Sequence, residues 1–296
     1  MYEGFKRFEL ETSDPGVKIT GRVGGKGPPL LLLHGNPLTH VTWYLIAPRL
    51  AKEFTVVCTD LRGYGDSSKP KGLPDHTNYS FRRMGQDQFD VMEHLGFRQF
   101  MLAGHDRGAR VGHRMALDRP ERILRFASIE IIPTHFMLTH MPWTYAANSY
   151  HWFFFAQKYD FPEQLLAGKE EFYIRWKFNK QGQGKFSPET MAEYVRCCNA
   201  EHIHGMAEDY RACLEVDFPM DDADWKAGKR VTCPVLPMRG VARAVTHKLF
   251  DINEGWRPYA TNLLPAIDLP SAHYPMEEAP EETYRALYDF FRKAEA

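Results

Sequence analysis

The sequence predicts an α/β fold in which a mostly parallel, twisted sheet is flanked by helices and carries an inserted helical cap. Short apolar runs alternate with helix-like patterns along most of the chain, as expected of a parallel sheet covered on both faces. The alternation stops near residue 134 and resumes near residue 229, and aromatic side chains crowd the intervening helical patterns. We therefore predict an α/β core from residues 1–133 and 229–296 and a cap from residues 134–228.

Each core element is predicted from its own pattern. A hairpin over residues 6–24 opens the chain, and amphipathic helices are predicted over residues 81–95 and 281–293. The predicted strands of the sheet cover residues 28–33, 54–60, 100–103, 126–133, 231–240 and 262–269. Because ligands of open α/β sheets bind beyond the carboxyl ends of the strands, the loops after these strands are the place to look for a site.

The composition argues against several classes of protein. The chain has 296 residues and a net charge of −1, which gives no reason to expect a nucleic acid or a membrane surface as partner. No apolar run approaches the length of a membrane span, and residues 1–20 are too polar to predict a signal peptide. The five cysteines occur without a secretory context, which predicts free thiols in the cytoplasm. Without a CxxC or HExxH motif, no metal site is expected.

The segment Ala103–Arg110 places an aspartate at a turn between a predicted strand and a predicted helix. Its Gly-x-Asp-x-Gly pattern allows the sharp bend of a nucleophile elbow, which exposes the central side chain. That side chain is Asp106, and a carboxylate nucleophile forms an ester by attacking an electrophilic carbon. Arg107 and Arg110 follow at the start of the helix, where two guanidinium groups suit a substrate carboxylate. This segment predicts a hydrolase that displaces a leaving group from a negatively charged substrate.

A late histidine and an intervening acid complete the predicted site. His273 lies between the last predicted strand and the closing helix, as expected of the base in the order nucleophile, acid, base. The segment Arg239–Arg243 has no carboxylate, so Glu130, in the strand after the elbow, is the candidate acid. In this assignment Asp106 attacks carbon, His273 activates the water that hydrolyses the ester, and Glu130 orients the imidazole.

The motif Gly104–Arg110 resembles the elbow of the haloacetate dehalogenases of the α/β-hydrolase superfamily, which include the fluoroacetate dehalogenases. The resemblance covers most of the chain. Its other motifs are His34-Gly35-x-Pro37, Asp60–Gly65, Tyr150–Trp152 and Glu208–Ala212. It implies an α/β-hydrolase fold and the hydrolysis of fluoroacetate or chloroacetate to glycolate and halide through an aspartyl ester.

The same resemblance implies roles for individual residues. Arg107 and Arg110 correspond to the family's ligands of the substrate carboxylate. His151, Trp152 and Tyr210 correspond to the residues that bind the departing halide. The resemblance further implies that the protein is a homodimer that needs no cofactor.

Two positions depart from the family pattern. Members usually have aspartate as the triad acid, where this chain has Glu130, and an aromatic residue where it has Asn36. The sequence His-Gly-Asn-Pro instead resembles haloalkane dehalogenases, in which the asparagine helps to bind halide. We expect the backbone N–H groups of Asn36 and Arg107 to hold the ester oxyanion, and the Asn36 side chain to face the pocket.

Two other functions fit part of this evidence. Epoxide hydrolases and haloalkane dehalogenases also use an elbow aspartate, although tryptophan commonly follows it where this chain has Arg107. In an epoxide hydrolase, Tyr210 or Tyr150 would protonate the epoxide oxygen. A catalytically silent receptor for small molecules is the third possibility, and its signature would be a broken triad, at which only the unusual Glu130 hints.

Overall fold

The computed structural model describes residues 1–242 and 248–292, so Arg243 and Lys293 of the predicted segments lie outside the described residues. An eight-stranded sheet is formed by this part of the chain, with the order β1-β2-β4-β3-β5-β6-β7-β8. The strands are β1 Lys6–Glu11, β2 Lys18–Gly24, β3 Pro29–Leu33, β4 Thr55–Thr59, β5 Phe100–His105, β6 Ile123–Ile129, β7 Val235–Gly240 and β8 Ile267–Leu269. Strand β2 pairs antiparallel with β1 and β4, whereas the neighbours from β4 to β8 are parallel. The predicted α/β fold is confirmed.

Helices cover the sheet and fill the region between β6 and β7. Those before β6 are α1 Ala47–Leu50, α2 Phe81–His94 and α3 Arg107–Asp118, with 3₁₀ turns at His40–Trp43 and Thr77–Tyr79. Those between β6 and β7 are α4 Thr134–Thr139, α5 Trp143–Asn148, α6 His151–Phe155, α7 Phe161–Leu166, α8 Glu170–Gln181, α9 Pro188–Cys197, α10 Ala200–Ala212 and α11 Phe218–Lys226, with a π-helical turn at Cys213–Asp217. Those after β7 are Ile252–Trp256, the 3₁₀ turn Arg257–Tyr259, Pro275–Glu278 and Pro280–Arg292. The inserted helical region expected from the sequence is therefore present.

Three strands are shorter than predicted, and local chemistry explains each difference. Strand β6 ends at Ile129 because Glu130 has a φ of 65°, a left-handed conformation that cannot continue an extended strand. Strand β7 begins only after Pro234, which has no N–H to donate to a neighbouring strand. Strand β8 likewise begins after Pro265, and Leu263 forms only an isolated bridge with Val235.

The centre of the sheet is the most deeply buried part of the fold. Leu30, Leu31, Leu32 and Leu33 of β3 are each 0% exposed, as a strand covered by helices on both faces requires. Strands β3, β5 and β6 lie side by side, so the loops that follow them meet at one edge of the sheet. Among the described residues, no helix combines the length and the apolar character needed to cross a bilayer.

Candidate active site

The elbow between β5 and α3 depends on three glycines that have no room for a side chain. A Cβ atom on Gly108 would lie 2.4 Å from the carbonyl oxygen of His34, and one on Gly104 would lie 2.5 Å from the Gly108 oxygen. A Cβ atom on Gly35 would lie 2.5 Å from the Asp106 Cβ. This close packing holds Asp106 at φ 48° and ψ −115°, a conformation that a non-glycine residue adopts only when its surroundings impose it.

The two carboxylate oxygens of Asp106 have different surroundings. Oδ1 accepts a hydrogen bond of 2.9 Å from the backbone N–H of Asn36, whereas Oδ2 lies 3.8 Å from Nε2 of His273. Burial disfavours the charged carboxylate, but the positive charges of His273 and Arg110 outweigh this effect and hold its pKa well below the usual range. Asp106 is therefore an ionised carboxylate whose Oδ2 faces the imidazole of His273.

Glu130 reaches the histidine in spite of its longer side chain. Its Oε2 lies 3.0 Å from Nδ1 of His273, and its Oε1 accepts a hydrogen bond from the Gly240 backbone N–H. Burial lowers the pKa of His273, but its hydrogen bond to the Glu130 carboxylate and the charge of Asp106 raise it above its ordinary value overall. His105 supports the same loop because its Nε2 lies 2.7 Å from the His273 carbonyl oxygen. The contact between Glu130 and His273 that the sequence predicts is therefore present among the described residues.

The two predicted carboxylate ligands lie in different surroundings. Arg107 is fully buried and forms a two-point ion pair with Asp209, whose carboxylate also accepts a 2.7 Å hydrogen bond from Tyr64. Arg107 is not among the described residues that line the cavity above Asp106. Its Nη1 atom is buried and has no hydrogen-bond partner among the described residues. Arg110 lines that cavity, donates to Oγ1 of Thr134 at 3.0 Å and keeps an unpartnered Nε among the described residues.

The three predicted halide ligands, His151, Trp152 and Tyr210, are in contact through their rings. The rings of His151 and Trp152 lie 5.8 and 5.6 Å from the ring of Tyr210, edge to face in both cases. His151 and Trp152 line the cavity, whereas Tyr210 lies behind them and is only 1% exposed. Within the described ranges, none of the three side chains has a hydrogen-bond acceptor. Burial and the charge of Lys177 lower the pKa of His151 well below its ordinary value, so this imidazole is a neutral donor.

The cavity above the nucleophile has a volume of about 440 Å³ and joins the core to the cap. Core residues Asp106, Glu130 and His273 line it from one side, and residues of α5, α6 and α8 line it from the other. The charged residues of its described lining are Asp106, Glu130, Arg110, Lys177, Lys180 and Lys248. Positive charges outnumber negative ones, so the cavity favours an anionic ligand.

Sequence reasoning missed the roles of two residues. Asp209, which fixes Arg107, stands next to Tyr210 in a motif that the sequence analysis had noted for its tyrosine alone. Lys177 lies one helical turn after Tyr173 on the buried face of α8 and is 3% exposed. Its i, i+4 spacing from a buried aromatic residue was a signal that could have placed it inside the protein.

In a second cluster of potential metal ligands, an arginine already neutralises the carboxylate charges. Glu163, His204 and Glu208 bring ligand atoms to within 4.8 Å of one another. Arg211 donates to both carboxylates, at 2.8 and 2.7 Å, and Gly72 donates to Nε2 of His204 at 3.1 Å. Because a guanidinium already holds the place of a cation, this cluster gives no support to a metal site.

Comparison with known proteins agrees with this geometry. Residues 28–214 match the model of the alpha/beta hydrolase fold. A fluoroacetate dehalogenase from Burkholderia sp is 44% identical over 99% of this chain and 96% of its own. A soluble epoxide hydrolase from Corynebacterium sp. (strain C12) is 30% identical over 93% of this chain and 94% of its own.

A solved structure extends the similarity to three dimensions. A crystal structure described as that of an alpha/beta hydrolase from Nostoc sp PCC 7120 superposes on this chain with a TM-score of 0.94 at 44% sequence identity. The match covers 98% of this chain and 99% of the Nostoc chain. With the sheet order, the elbow and the family match in agreement, this chain belongs to the alpha/beta hydrolase family.

Proposed function

We propose that this protein hydrolyses haloacetates to glycolate and halide through an ester on Asp106. The observation that carries the proposal is the ring of unpartnered donors around an ionised elbow carboxylate. Arg110, His151 and Trp152 face the cavity with N–H groups that no acceptor in the described structure occupies. The Nε of Arg110 is buried without an acceptor, which is costly, and the other two donors line the same cavity, so this arrangement favours a small anion as ligand. The 44% identical fluoroacetate dehalogenase supports the same substrate class.

In the first step, Oδ2 of Asp106 attacks the carbon that bears the halogen. The new O–C bond forms as the carbon–halogen bond breaks, and the electron pair leaves with the halide. Arg110 binds the substrate carboxylate, with Arg107 behind it, and so holds the carbon in line with Oδ2. His151, Trp152 and Tyr210 donate hydrogen bonds to the halide, which replace the water that it would have in solution.

In the second step, water hydrolyses the ester at the Asp106 carboxyl carbon. Nε2 of His273 takes a proton from the water, and Glu130 stabilises the imidazolium that results. Oδ1 of Asp106, which becomes the oxyanion, already accepts a hydrogen bond from the Asn36 N–H. The N–H of Arg107 at the start of α3 is the second donor to it. Collapse of the intermediate breaks the bond between the Asp106 carboxyl carbon and Oδ2, and His273 returns its proton to the oxygen that leaves with glycolate. The second proton of the water is released to solvent, which restores the Asp106 carboxylate.

Halide release from defined substrates tests this proposal. The purified protein should release fluoride or chloride from fluoroacetate and chloroacetate, and Asp106→Ala should release none. Arg110→Ala should lose activity on chloroacetate because the substrate carboxylate loses its cation. Arg175→Ala, which removes a cation from the exposed face of α8, is the matched control and should retain it. Undiminished chloroacetate turnover by Arg110→Ala would show that the carboxylate binds elsewhere.

Epoxide hydrolysis is the second candidate, favoured by the 30% identical soluble epoxide hydrolase. The hydroxyl of Tyr210 has no acceptor in the described structure and is available to protonate an epoxide oxygen. Tyr150, the other candidate, is 39% exposed, lies against Lys180 and does not line the described cavity. Turnover of a neutral epoxide faster than chloroacetate would favour this function over dehalogenation.

A further inference from the structure

A buried lysine lines the cavity from the cap. Lys177 lies on the inward face of α8 and is only 3% exposed. Its ammonium group has no hydrogen bond or ion pair to any residue in the described ranges, although it lines the same cavity as Asp106 and His151. A buried charge without a counter-ion is costly. The arrangement therefore indicates that the counter-ion arrives with the ligand.

The two buried cations of the cavity come from different elements. Arg110, on α3, is fixed by its hydrogen bond to Thr134 and by the Trp152 ring, which lies 4.6 Å from its guanidinium carbon. Lys177 belongs to α8 and acts on His151, because its charge helps to lower the pKa of that imidazole. Arg110 thus lines the cavity from the core, whereas Lys177 lines it from the cap, as His151 and Trp152 of α6 do.

The protonation of Lys177 depends on charges from several elements. Burial is the largest influence and, together with the neighbouring cations, lowers its pKa to about 7, although the Asp106 carboxylate acts in the opposite direction. The charged and titratable groups that act on Lys177 or on which it acts are Lys180, Asp106, Arg107, His151 and His273. An anion bound beside the ammonium would stabilise its charged form and raise the pKa.

We propose that Lys177 binds the departing halide and adds a full positive charge to the neutral donors of the halide pocket. This inference rests on the proposed function. As the O–C bond forms and the carbon–halogen bond breaks, one negative charge moves from Asp106 to the halide. A cation on the cap side of the cavity, which His151 also lines, stabilises that charge, and its effect is strong because the site is buried. The uncharged His151 contributes a hydrogen bond, and Lys177 contributes the charge.

Bromide binding tests this inference without any turnover. The ion is titrated into the full-length protein and followed by tryptophan fluorescence, with Lys177→Met and Lys177→Gln as two independent variants. At about pH 6, where Lys177 is protonated in the wild type, we expect each variant to bind bromide about tenfold more weakly. Arg175→Gln removes a positive charge from the exposed face of the same helix and should leave the affinity unchanged.

The pH dependence separates the lysine from a general electrostatic effect. Bromide affinity of the wild type should fall as the pH rises above about 7, because the free ammonium loses its proton. The affinity of Lys177→Met should lack this loss, although His273 still titrates in it. Unchanged bromide affinity in both variants would overturn the inference. It would also be overturned if the variants lost as much affinity for glycolate as for bromide, because Lys177 would then bind the carboxylate. If no haloacetate is turned over but bromide still depends on Lys177, only the proposed function fails.

Discussion

At the scale of single residues, Glu130 shows how backbone geometry compensates for a longer side chain. Glu130 is one methylene longer than aspartate, yet its backbone turns out of β6 with a φ of 65°. This turn leaves one carboxylate oxygen on the Gly240 N–H and the other on His273. The length of the side chain is therefore absorbed by the backbone rather than by a longer distance to the imidazole.

Replacing Glu130 by glutamine should slow hydrolysis of the ester much more than its formation. The imidazolium would lose its charged partner, and removal of such a partner typically lowers kcat by about 10⁴-fold. Rapid-quench mass spectrometry should then show Asp106 accumulating as the ester. Glu130→Asp keeps the charge but shortens the reach, so we expect an intermediate rate. Equal slowing of both steps would contradict the assigned role.

The titration of His273 should report the same contact. Its hydrogen bond to Glu130 and the nearby Asp106 carboxylate raise its pKa above the ordinary value of 6.5. Both contributions favour the protonated ring, so removing either one should lower the pKa. We expect NMR titration of the free protein to give a pKa above 6.5 and Glu130→Gln to give a lower one. A pKa that does not change in the variant would argue against the contact.

At the scale of elements, two close contacts position the site. The elbow brings β5 and α3 so near to the loop after β3 that Gly108 has no space for a methyl group. The cap is attached to the core by the buried ion pair between Arg107 of α3 and Asp209 of α10. Both contacts lie directly beside Asp106, so the helices cannot shift without moving the nucleophile.

Gly108→Ala should destabilise the fold although alanine is the better helix former. The added Cβ would lie 2.4 Å from a backbone oxygen of His34, which cannot rotate away. Such overpacking typically costs about 1–3 kcal/mol, which urea unfolding measures as a lower midpoint. Gly85→Ala in α2 is the control, because its methyl would crowd only the flexible Met115 side chain and lie in ordinary contact with Val111. A larger loss in the control would refute the explanation.

Asp209→Ala should destabilise the protein by about 3–5 kcal/mol, because it leaves the buried Arg107 charge unpaired. Both partners of this pair are 0% exposed. Glu171→Ala breaks the exposed pair with Arg175 on α8, for which a change within about 1 kcal/mol is expected. Equilibrium unfolding in urea compares the two variants. Equal losses would show that the buried pair has no special role.

At the scale of the whole molecule, the charge is unevenly distributed. The chain has a net charge of −1, but arginine and lysine side chains outnumber carboxylates in the described lining of its cavity. A nearly neutral protein thus carries a local excess of positive charge around the cavity above Asp106, where it attracts small anions. Overall composition could not reveal this, because it depends on which side chains the fold brings together.

The sequence predicted the features that depend on local patterns and missed those that depend on which side chains the fold brings together. The candidate nucleophile Asp106 follows from a local motif, and the alternation of apolar runs specifies the α/β sheet. The ends of β6 and β8 were wrong because a left-handed glutamate and a proline act at single positions. Lys177 was missed because a lysine is ordinarily expected on the exposed face of a helix, although its spacing from Tyr173 pointed to the buried face of α8.

The central claim is that an oxygen of Asp106 becomes covalently joined to the substrate carbon. A single turnover of chloroacetate in ¹⁸O-labelled water, with excess enzyme, tests this most directly. Because water attacks the ester at the Asp106 carboxyl carbon, the account predicts ¹⁸O in the peptide that contains Asp106 and unlabelled glycolate. Labelled glycolate together with an unlabelled Asp106 peptide would contradict it, since water would then have attacked the substrate itself.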